Sequence, residues 1–177
     1  MDVIFRTPRL YLRKLTPEDR LSLCETLQDG QAMYAYEHAF SETEVDEWLD
    51  RQLARYRTDG FGLWALIRSA DGAFLGQCGI TMQSWGEQRV PEIGYLLARR
   101  FWHSGYATEG AIGCREYAFR TLGLPEVYSI IRENNLPSRR VAERNGMHVV
   151  GSLVKHYYGF EMPHLVYCAK REETGRI

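Results

Sequence analysis

The most informative segment of the 177-residue chain is Pro91–Gly110, which reads PEIGYLLARRFWHSGYATEG. Its first half belongs to an apolar run, Val90–Leu97, that predicts a strand. Its second half, Trp102–Thr108, is a loop with small residues that leads into a helix. The start of such a helix carries unpaired N–H groups and the positive end of the helix dipole, so it can bind a phosphate with few cationic side chains.

The small residues of this loop allow two interpretations. Gly105 would let the main chain approach a phosphate closely, Ala107 is small for the same reason, and Arg99 or Arg100 would add a charge-assisted contact. Alternatively, Gly105 only permits a tight turn between strand and helix. The loop by itself does not decide between the two.

A strand meander precedes the loop. Phe61–Ile67 and Phe74–Met82 are rich in apolar and aromatic residues, and the Asp71-Gly72 pair between them is a strong hairpin signal. A second glycine turn then leads to Val90–Leu97. We therefore expect three neighbouring antiparallel strands that end at the loop.

The segment after the loop predicts a helix that ends at Gly123, because apolar residues recur at helical spacing up to Leu122 and glycine is a common C-terminal cap. A strand, a crossover helix and a strand within Val90–Arg132 should form a right-handed parallel pair. The elements predicted beyond it are a strand at Val127–Arg132, a helix at Pro137–Asn145, and strands at Met147–Tyr158 and His164–Ala169.

The N-terminal third predicts one strand and two helices. Arg9–Arg13 alternates polar and apolar residues, as a half-buried strand does. Thr16–Asp19 is typical of a helix start and precedes a short helix to about Leu27, and Ser41–Glu44 forms a capping box before a helix to Tyr56. The whole chain, residues 1–177, is thus interpreted as one α/β (α+β) domain. It has a mixed sheet of about seven strands, mostly antiparallel, and four helices.

The composition excludes several classes of protein. With 45% hydrophobic and 25% charged residues, the chain is neither disordered nor fibrous, and a net charge of −1 predicts no nucleic-acid partner. The N-terminus becomes charged too early for a signal peptide, and no apolar run approaches the roughly 18 residues of a membrane span. We expect a cytoplasmic protein with no membrane partner.

The cysteines and the five histidines lack metal-ligand spacing, so we predict no metal site and assign no histidine a catalytic role.

Three motifs resemble the GNAT superfamily of N-acetyltransferases, in particular the branch of ribosomal-protein N-terminal (alanine/serine) acetyltransferases. The loop Trp102–Ala107 matches the last two fixed positions of the family motif Gln/Arg-x-x-Gly-x-Gly/Ala, with Trp102 in place of Gln or Arg. His103 and Ser104 stand where that motif often has Gly and a cation. Glu92–Tyr95 resembles the Glu-Ile-Gly-Tyr of this branch, and Asn135–Gly146 resembles its Asn-x-x-Ser and Arg-Val-Ala-Glu helix. The resemblance covers nearly the whole chain.

The resemblance implies that the cofactor is acetyl-coenzyme A, with coenzyme A as a product. It also implies that the parallel pair is splayed apart and that the pantetheine arm lies in the gap. An N–H near Leu96 or Leu97 would then stabilise the oxyanion that forms when the amine attacks. The implied cofactor-binding residues are Tyr95, Leu96, Leu97, Arg100, Trp102, His103, Ser104, Gly105, Tyr106, Ala107, Thr108, Asn135 and Ser138.

Two residues are candidates for proton transfer. Glu92 would take a proton from the acceptor ammonium, since a partly buried Glu has a raised pKa; alternatively, it is an exposed carboxylate at a strand end. Ser138 resembles the residue that serves the departing thiolate in this branch, but it also suits an ordinary helix cap. Tyr157 or Tyr158 is the alternative acid.

The acceptor remains open between a protein N-terminus and a small-molecule amine. Residues expected near it are Tyr36, Glu37, His38 and Phe40 and the turn Tyr157–Pro163. Acidic Glu37 and Glu42 would suit a cationic acceptor, although a solvated helix start explains them equally well.

A second class of function is a non-catalytic acyl-coenzyme A sensor or a partner-binding protein with the same fold. Both classes predict cofactor binding, and only the enzyme predicts thiol release in the presence of an amine. A dinucleotide-binding enzyme is disfavoured because no Gly-x-Gly-x-x-Gly follows the first strand. A homodimer is common in the resembling branch, but the sequence does not fix the oligomeric state.

Overall fold

The structure is a computed structural model that describes residues 2–171 and is built on one mixed sheet. Its strands are β1 (Val3–Arg6), β2 (Leu10–Arg13), β3 (Leu63–Arg68), β4 (Phe74–Trp85), β5 (Gln88–Leu97), β6 (Glu126–Arg132), β7 (His148–Tyr157) and β8 (Phe160–Lys170). Its helices are α1 (Arg20–Leu27), α2 (Glu42–Thr58), α3 (Tyr106–Arg120) and α4 (Leu136–Arg144). The strands lie in the order β1-β2-β3-β4-β5-β6-β8-β7.

The predicted fold is confirmed, with one strand added. The additional strand is β1, which pairs antiparallel with β2 at the sheet edge. The predicted strand at His164–Ala169 begins earlier, at Phe160, because β8 continues pairing with β7 as far as Tyr157. The interpretation of residues 1–177 as a single domain stays a prediction.

The sheet contains one parallel pair, and that pair separates almost at once. Strands β5 and β6 are joined in parallel only at Glu92 and Tyr128. The Ser129 hydroxyl donates to the carbonyl of Ile93 at 2.8 Å. Beyond this point the described residues of the two strands form no further ladder pair, so a gap opens toward their C-terminal ends. All other neighbouring strands are antiparallel.

Helices cover the two faces of the sheet unequally. On one face, α3 and α4 bury Ala111, Cys114 and Val141 against strand residues such as Ile93. On the other, α1 and α2 pack against the β3 side of the sheet in a second core. Strands β5 to β8 carry only a small cluster around Val166 on that second face. A space therefore remains over the parted strands.

Local capping signals explain where the helices begin. Ser41 and Glu44 form the predicted capping box at the start of α2: the Glu44 N–H donates to the Ser41 hydroxyl, and the Ser41 N–H donates to the Glu44 carboxylate at 2.8 Å. The start predicted at Thr16–Asp19 instead forms a short 3-10 turn, and α1 follows at Arg20. There, Arg13 binds the buried carboxylate of Asp19 through two hydrogen bonds of 2.6 and 2.7 Å.

Within residues 2–171, no helix combines the length and apolar character needed to cross a bilayer. In the same part of the chain, no three His, Cys, Asp or Glu side chains gather where they could hold a metal ion.

Candidate active site

A cleft of about 510 Å³ lies where β5 and β6 part. This volume falls in the range of small-molecule sites, roughly 300–1,000 Å³. Most of the residues that the sequence predicted for catalysis or cofactor binding line it together: Glu92, Tyr95, Leu96, Leu97, Trp102, His103, Gly105, Tyr106, Ala107, Thr108, Asn135 and Ser138.

Two predicted cofactor contacts, Arg100 and Ser104, lie outside the cleft lining. The Arg100 guanidinium pairs with Glu25 at 2.6 Å and lies over the ring of Phe101. Arg99, the alternative cation, is paired with Asp29. The Ser104 side chain is exposed, and its hydroxyl donates back to the main chain at 3.3 Å. The expected cation near the loop therefore does not come from this turn.

The cations that line the cleft are two residues that the sequence analysis missed. Arg140 and Arg144 lie four residues apart on α4, so they share one face of the helix. Neither forms an ion pair or a hydrogen bond with any residue that the structure describes. The signal available in the sequence was this spacing directly after Asn135-x-x-Ser138.

The loop before α3 has the main-chain geometry of an anion site. Gly105 has φ 77°, in the left-handed region, and a Cβ added there would meet only an Arg9 nitrogen at 3.4 Å. The conformation, more than the space, therefore requires glycine. Along α3 the first main-chain bond runs from the Glu109 N–H to the Gly105 carbonyl. The N–H groups of residues 106–108 find no acceptor within residues 2–171, and such groups bind phosphates.

Glu109 fixes this helix start to the N-terminal strands. Its carboxylate accepts from the Thr7 hydroxyl at 2.6 Å, from the Arg9 N–H at 2.8 Å and from the Arg9 guanidinium at 2.6 Å. Burial raises the pKa of Glu109, but these hydrogen bonds outweigh burial and leave the pKa lowered. An ionised Glu109 thus holds the loop in place.

Alternation along β5 decides which main-chain groups face the gap. The carbonyl of Ile93 is met by Ser129 of β6, whereas the carbonyl of Leu96 lies against Gly76 of β4. Odd-numbered residues of β5 therefore direct their N–H and C=O groups toward β6. Of the two N–H groups predicted to stabilise the oxyanion, that of Leu97 faces the gap and that of Leu96 faces β4.

Trp102 closes the C-terminal end of this strand. Its indole N–H donates to the carbonyl of Leu97 at 2.9 Å, while its ring remains partly exposed at the cleft. The bond fixes the tryptophan that stands where the family motif has Gln or Arg.

Glu92 is half-buried in the cleft wall, so the interpretation as an exposed strand-end carboxylate is wrong. Its carboxylate accepts from the N–H of Ile130 at 3.1 Å. Burial raises the pKa of Glu92, and the charges of Lys155 and Arg55 together with the Ile130 N–H reduce that rise. A fixed carboxyl group with a raised pKa suits a general base.

Ser138 is free for chemistry because another residue caps its helix. The side chain of Asn135 accepts from the Ser138 N–H at 3.2 Å and is the N-cap of α4. The Tyr95 hydroxyl donates to the Ser138 carbonyl at 2.7 Å, which ties α4 to β5. No described residue forms a hydrogen bond with the Ser138 hydroxyl. The cap of α4 is therefore Asn135, and the interpretation of Ser138 as the helix cap is wrong.

Of the residues expected near the acceptor, Tyr36 and Tyr157 line the cleft, whereas Glu37, His38 and Phe40 do not. Tyr34 lines it as well. The ring of His38 lies 4.9 Å from that of Tyr158, so the segment after α1 contacts the β7–β8 hairpin. Tyr158 itself is mostly exposed and outside the lining, which leaves Tyr157 as the tyrosine placed for the alternative acid role.

The two acids expected to suit a cationic acceptor are already neutralised. Glu37 pairs with Arg132. Glu42 pairs with Arg20 at 2.6 Å and accepts from Gln28 at 2.8 Å. Both are therefore structural ion pairs.

His164 is a cleft residue that the sequence did not identify. It is buried on β8, and its Nδ1 lies 2.7 Å from the carbonyl of Met162. A carbonyl can only accept, so Nδ1 carries the proton and Nε2 is left as an acceptor. Burial lowers the pKa of His164, as do the charges of Lys155 and Arg132. Both effects favour the neutral form of the imidazole.

A larger groove of about 710 Å³ lies on the other side of α3, between that helix and β1. The two carboxylates that line it, Glu109 and Glu116, are both paired with arginines. It lacks the parted strands, so we assign the chemistry to the smaller cleft.

Comparisons with known proteins show the family and the fold. The family described as acetyltransferase (GNAT) domain matches residues 9–148. An uncharacterised protein of Bacillus subtilis, YkkB, is 36% identical over 143 residues, which cover 80% of this chain and 83% of that protein. The FsC-acetyl coenzyme A-N(2)-transacetylase of Aspergillus fumigatus is 31% identical over 97% of this chain and 77% of its own. Mycobacterium smegmatis RimJ, solved in complex with CoA-disulfide, shares the fold with a TM-score of 0.75 and 24% identity over 93% of this chain and 83% of its own.

Proposed function

The chain belongs to the GNAT acetyltransferase family, and we propose that it transfers an acetyl group from acetyl-coenzyme A directly to a primary amine within a ternary complex. One observation carries this proposal: the half-buried carboxylate of Glu92 shares a cleft with the unpaired N–H groups that begin α3. The acceptor is either a protein N-terminal α-amine or a small-molecule amine. The name of the Aspergillus relative, an N(2)-transacetylase, supports nitrogen as the accepting atom.

The residues present fit acetyl-coenzyme A, which supplies a thioester-activated acetyl group when bound. The N–H groups of residues 106–108 and the guanidinium groups of Arg140 and Arg144 would hold the phosphates. The main-chain groups of β5 that face the gap would pair with the pantetheine amides as an added strand does. Asn135 keeps its side-chain N–H groups for the same arm, because only its oxygen caps α4. The Leu97 N–H would stabilise negative charge on the acetyl oxygen.

Glu92 would accept the proton that the acceptor ammonium must lose before it can attack. Its hydrogen bond from Ile130 fixes the carboxylate in the cleft wall, and its raised pKa makes it a stronger base than an exposed Glu. His164 lines the same cleft, and the neutral form of its imidazole would offer a second proton acceptor through Nε2.

Ser138→Ala is expected to slow thiol release roughly tenfold, because the departing thiolate loses one hydrogen-bond donor, worth about 1–2 kcal/mol. Acetyl-coenzyme A affinity should change little. Steady-state thiol release and calorimetry test the two parts. Tyr157→Phe is the matched control: a larger loss in Tyr157→Phe than in Ser138→Ala would assign the acid role to Tyr157.

The decisive test of the proposed function is a panel of amines and peptides incubated with acetyl-coenzyme A, with thiol release and acetylated product both recorded. We expect thiol release that depends on the amine and matches product formation. Tight binding of acetyl-coenzyme A without turnover on any acceptor would favour the non-catalytic sensor instead.

A further inference from the structure

Among the residues that the structure describes, Lys155 is the one lysine that lines the cleft. It is half-buried on β7, and no ion pair or hydrogen bond joins it to any residue in the range 2–171. By contrast, the neighbouring cation Arg132 is paired with Glu37 and donates to the Tyr34 carbonyl. Burying a charge costs free energy unless an opposite charge pairs with it. A half-buried lysine without an ion pair in a ligand cleft therefore favours the binding of an anion.

The strand registers place Lys155 on the same face of the sheet as Glu92. Glu92 is opposite Tyr128 on β6, and Arg132, further along the same face of β6, is opposite His164 on β8. His164 is in turn opposite Leu153 on β7, and Lys155 follows two residues later. Residues two apart on a strand share a face. Glu92 and Lys155 thus lie on the same face of the sheet, and both line the cleft.

The charges around the base disfavour an acceptor that is only cationic. Glu92 is the single acid in the lining that the structure describes. Lys155 and Arg55 both act on it electrostatically. The acids that would have attracted further positive charge, Glu37 and Glu42, are neutralised by arginines. The ammonium group of an acceptor would meet the carboxylate of Glu92 and also the ammonium group of Lys155. An acceptor that carries a negative charge of its own would therefore bind more favourably than one that is only cationic.

Building on the proposed function, we propose that the acceptor is a small amino carboxylate, whose amine lies at Glu92 and whose carboxylate pairs with Lys155. The proposal predicts that amino carboxylates are better acceptors than polyamines and than amines with uncharged tails. Lys155 would be a specificity residue: it recognises the tail of the acceptor and does not itself accept or donate the transferred proton.

The test uses matched acceptors with the intact protein. Amino carboxylates, from α-amino to ω-amino acids, are each compared with the amide or the decarboxylated amine of the same chain length. Wild type is expected to show a kcat/KM at least tenfold higher for the best carboxylate than for its twins. At a pH well above the pKa of Glu92, where the base stays ionised without the lysine charge, Lys155→Met should raise KM for that carboxylate at least tenfold and change kcat/KM for its uncharged twins far less. Lys155→Arg should retain the preference, and Lys14→Met, which alters an exposed lysine outside the cleft, should behave as wild type.

Two results would overturn the inference. Equal or better acetylation of the uncharged twins would remove the carboxylate from recognition. A Lys155→Met variant that slows all acceptors alike, with a shifted pH profile, would show that Lys155 only adjusts Glu92.

A failure of the proposed function is detected separately. If no amine releases thiol, the amino carboxylates are titrated by calorimetry into the protein saturated with coenzyme A. If the amino carboxylates bind to wild type and not to Lys155→Met, the recognition site is supported even though the transferase function is contradicted. Binding that is absent, or that the variant does not change, would overturn the inference as well.

Discussion

Glu92→Gln is expected to lower kcat/KM for amine acetylation by roughly 10²–10⁴-fold, the usual contribution of a positioned general base. Glutamine keeps the shape of the side chain and can still accept from the Ile130 N–H through its amide oxygen, so the cleft wall should remain intact. What the variant loses is the ability to accept a proton. Steady-state thiol release measures the loss, and acetyl-coenzyme A affinity by calorimetry should stay near that of wild type.

The pH dependence of the same variant gives a second readout. Glu92 must be ionised to accept a proton, and burial raises its pKa above the ordinary value of about 4.3. The kcat/KM of wild type should therefore fall as the pH decreases through this raised pKa. Glu92→Gln should lack that acidic limb. If the acidic limb persists in the variant, another group is the base, and His164 would be the first residue to test.

Much of the fold was predictable because its signals are local. The Asp71-Gly72 turn, the capping box at Ser41 and the apolar face of α3 each depend on residues a few positions apart. Strand β1 was missed since Val3–Arg6 is short and shows no alternation, and its pairing with β2 has an irregular register. A strand of this kind is defined by its neighbour more than by its own residues.

The candidate site was predictable only where a motif lies in one stretch of the chain. The loop before α3 and the Asn135–Ser138 turn both reach the cleft, because each directly begins a helix at the parted strands. Lys155 and His164 could not be found this way, since they enter the cleft through the registers of β7 and β8. The choice of Leu97 over Leu96 depends likewise on which neighbour each main-chain group faces.

The cations show how sequence proximity misleads. Arg100 precedes the loop by a few residues, yet Glu25 of α1 holds its side chain elsewhere. Arg140 and Arg144 are distant in sequence but lie on the helix that borders the gap. Helix packing against the sheet, and not distance along the chain, decides which charges lie at the proposed phosphate site.

Gly105→Glu is expected to weaken acetyl-coenzyme A binding roughly hundredfold. A side chain in the left-handed region costs about 1–2 kcal/mol, or roughly tenfold in affinity where the loop relaxes to avoid it. A carboxylate beside the unpaired N–H groups of residues 106–108 would then compete with the phosphates for the same donors. Calorimetry with acetyl-coenzyme A gives the affinity, and thermal unfolding shows whether the protein remains folded.

Gly105→Asn is the matched control that separates the two effects. Asparagine tolerates positive φ better than other non-glycine residues and adds no charge, so its affinity should lie much closer to wild type than that of Gly105→Glu. If both variants lose affinity equally, the left-handed conformation alone governs binding. If neither loses affinity, the phosphates lie elsewhere, and the cations of α4 would have to hold them without the helix start.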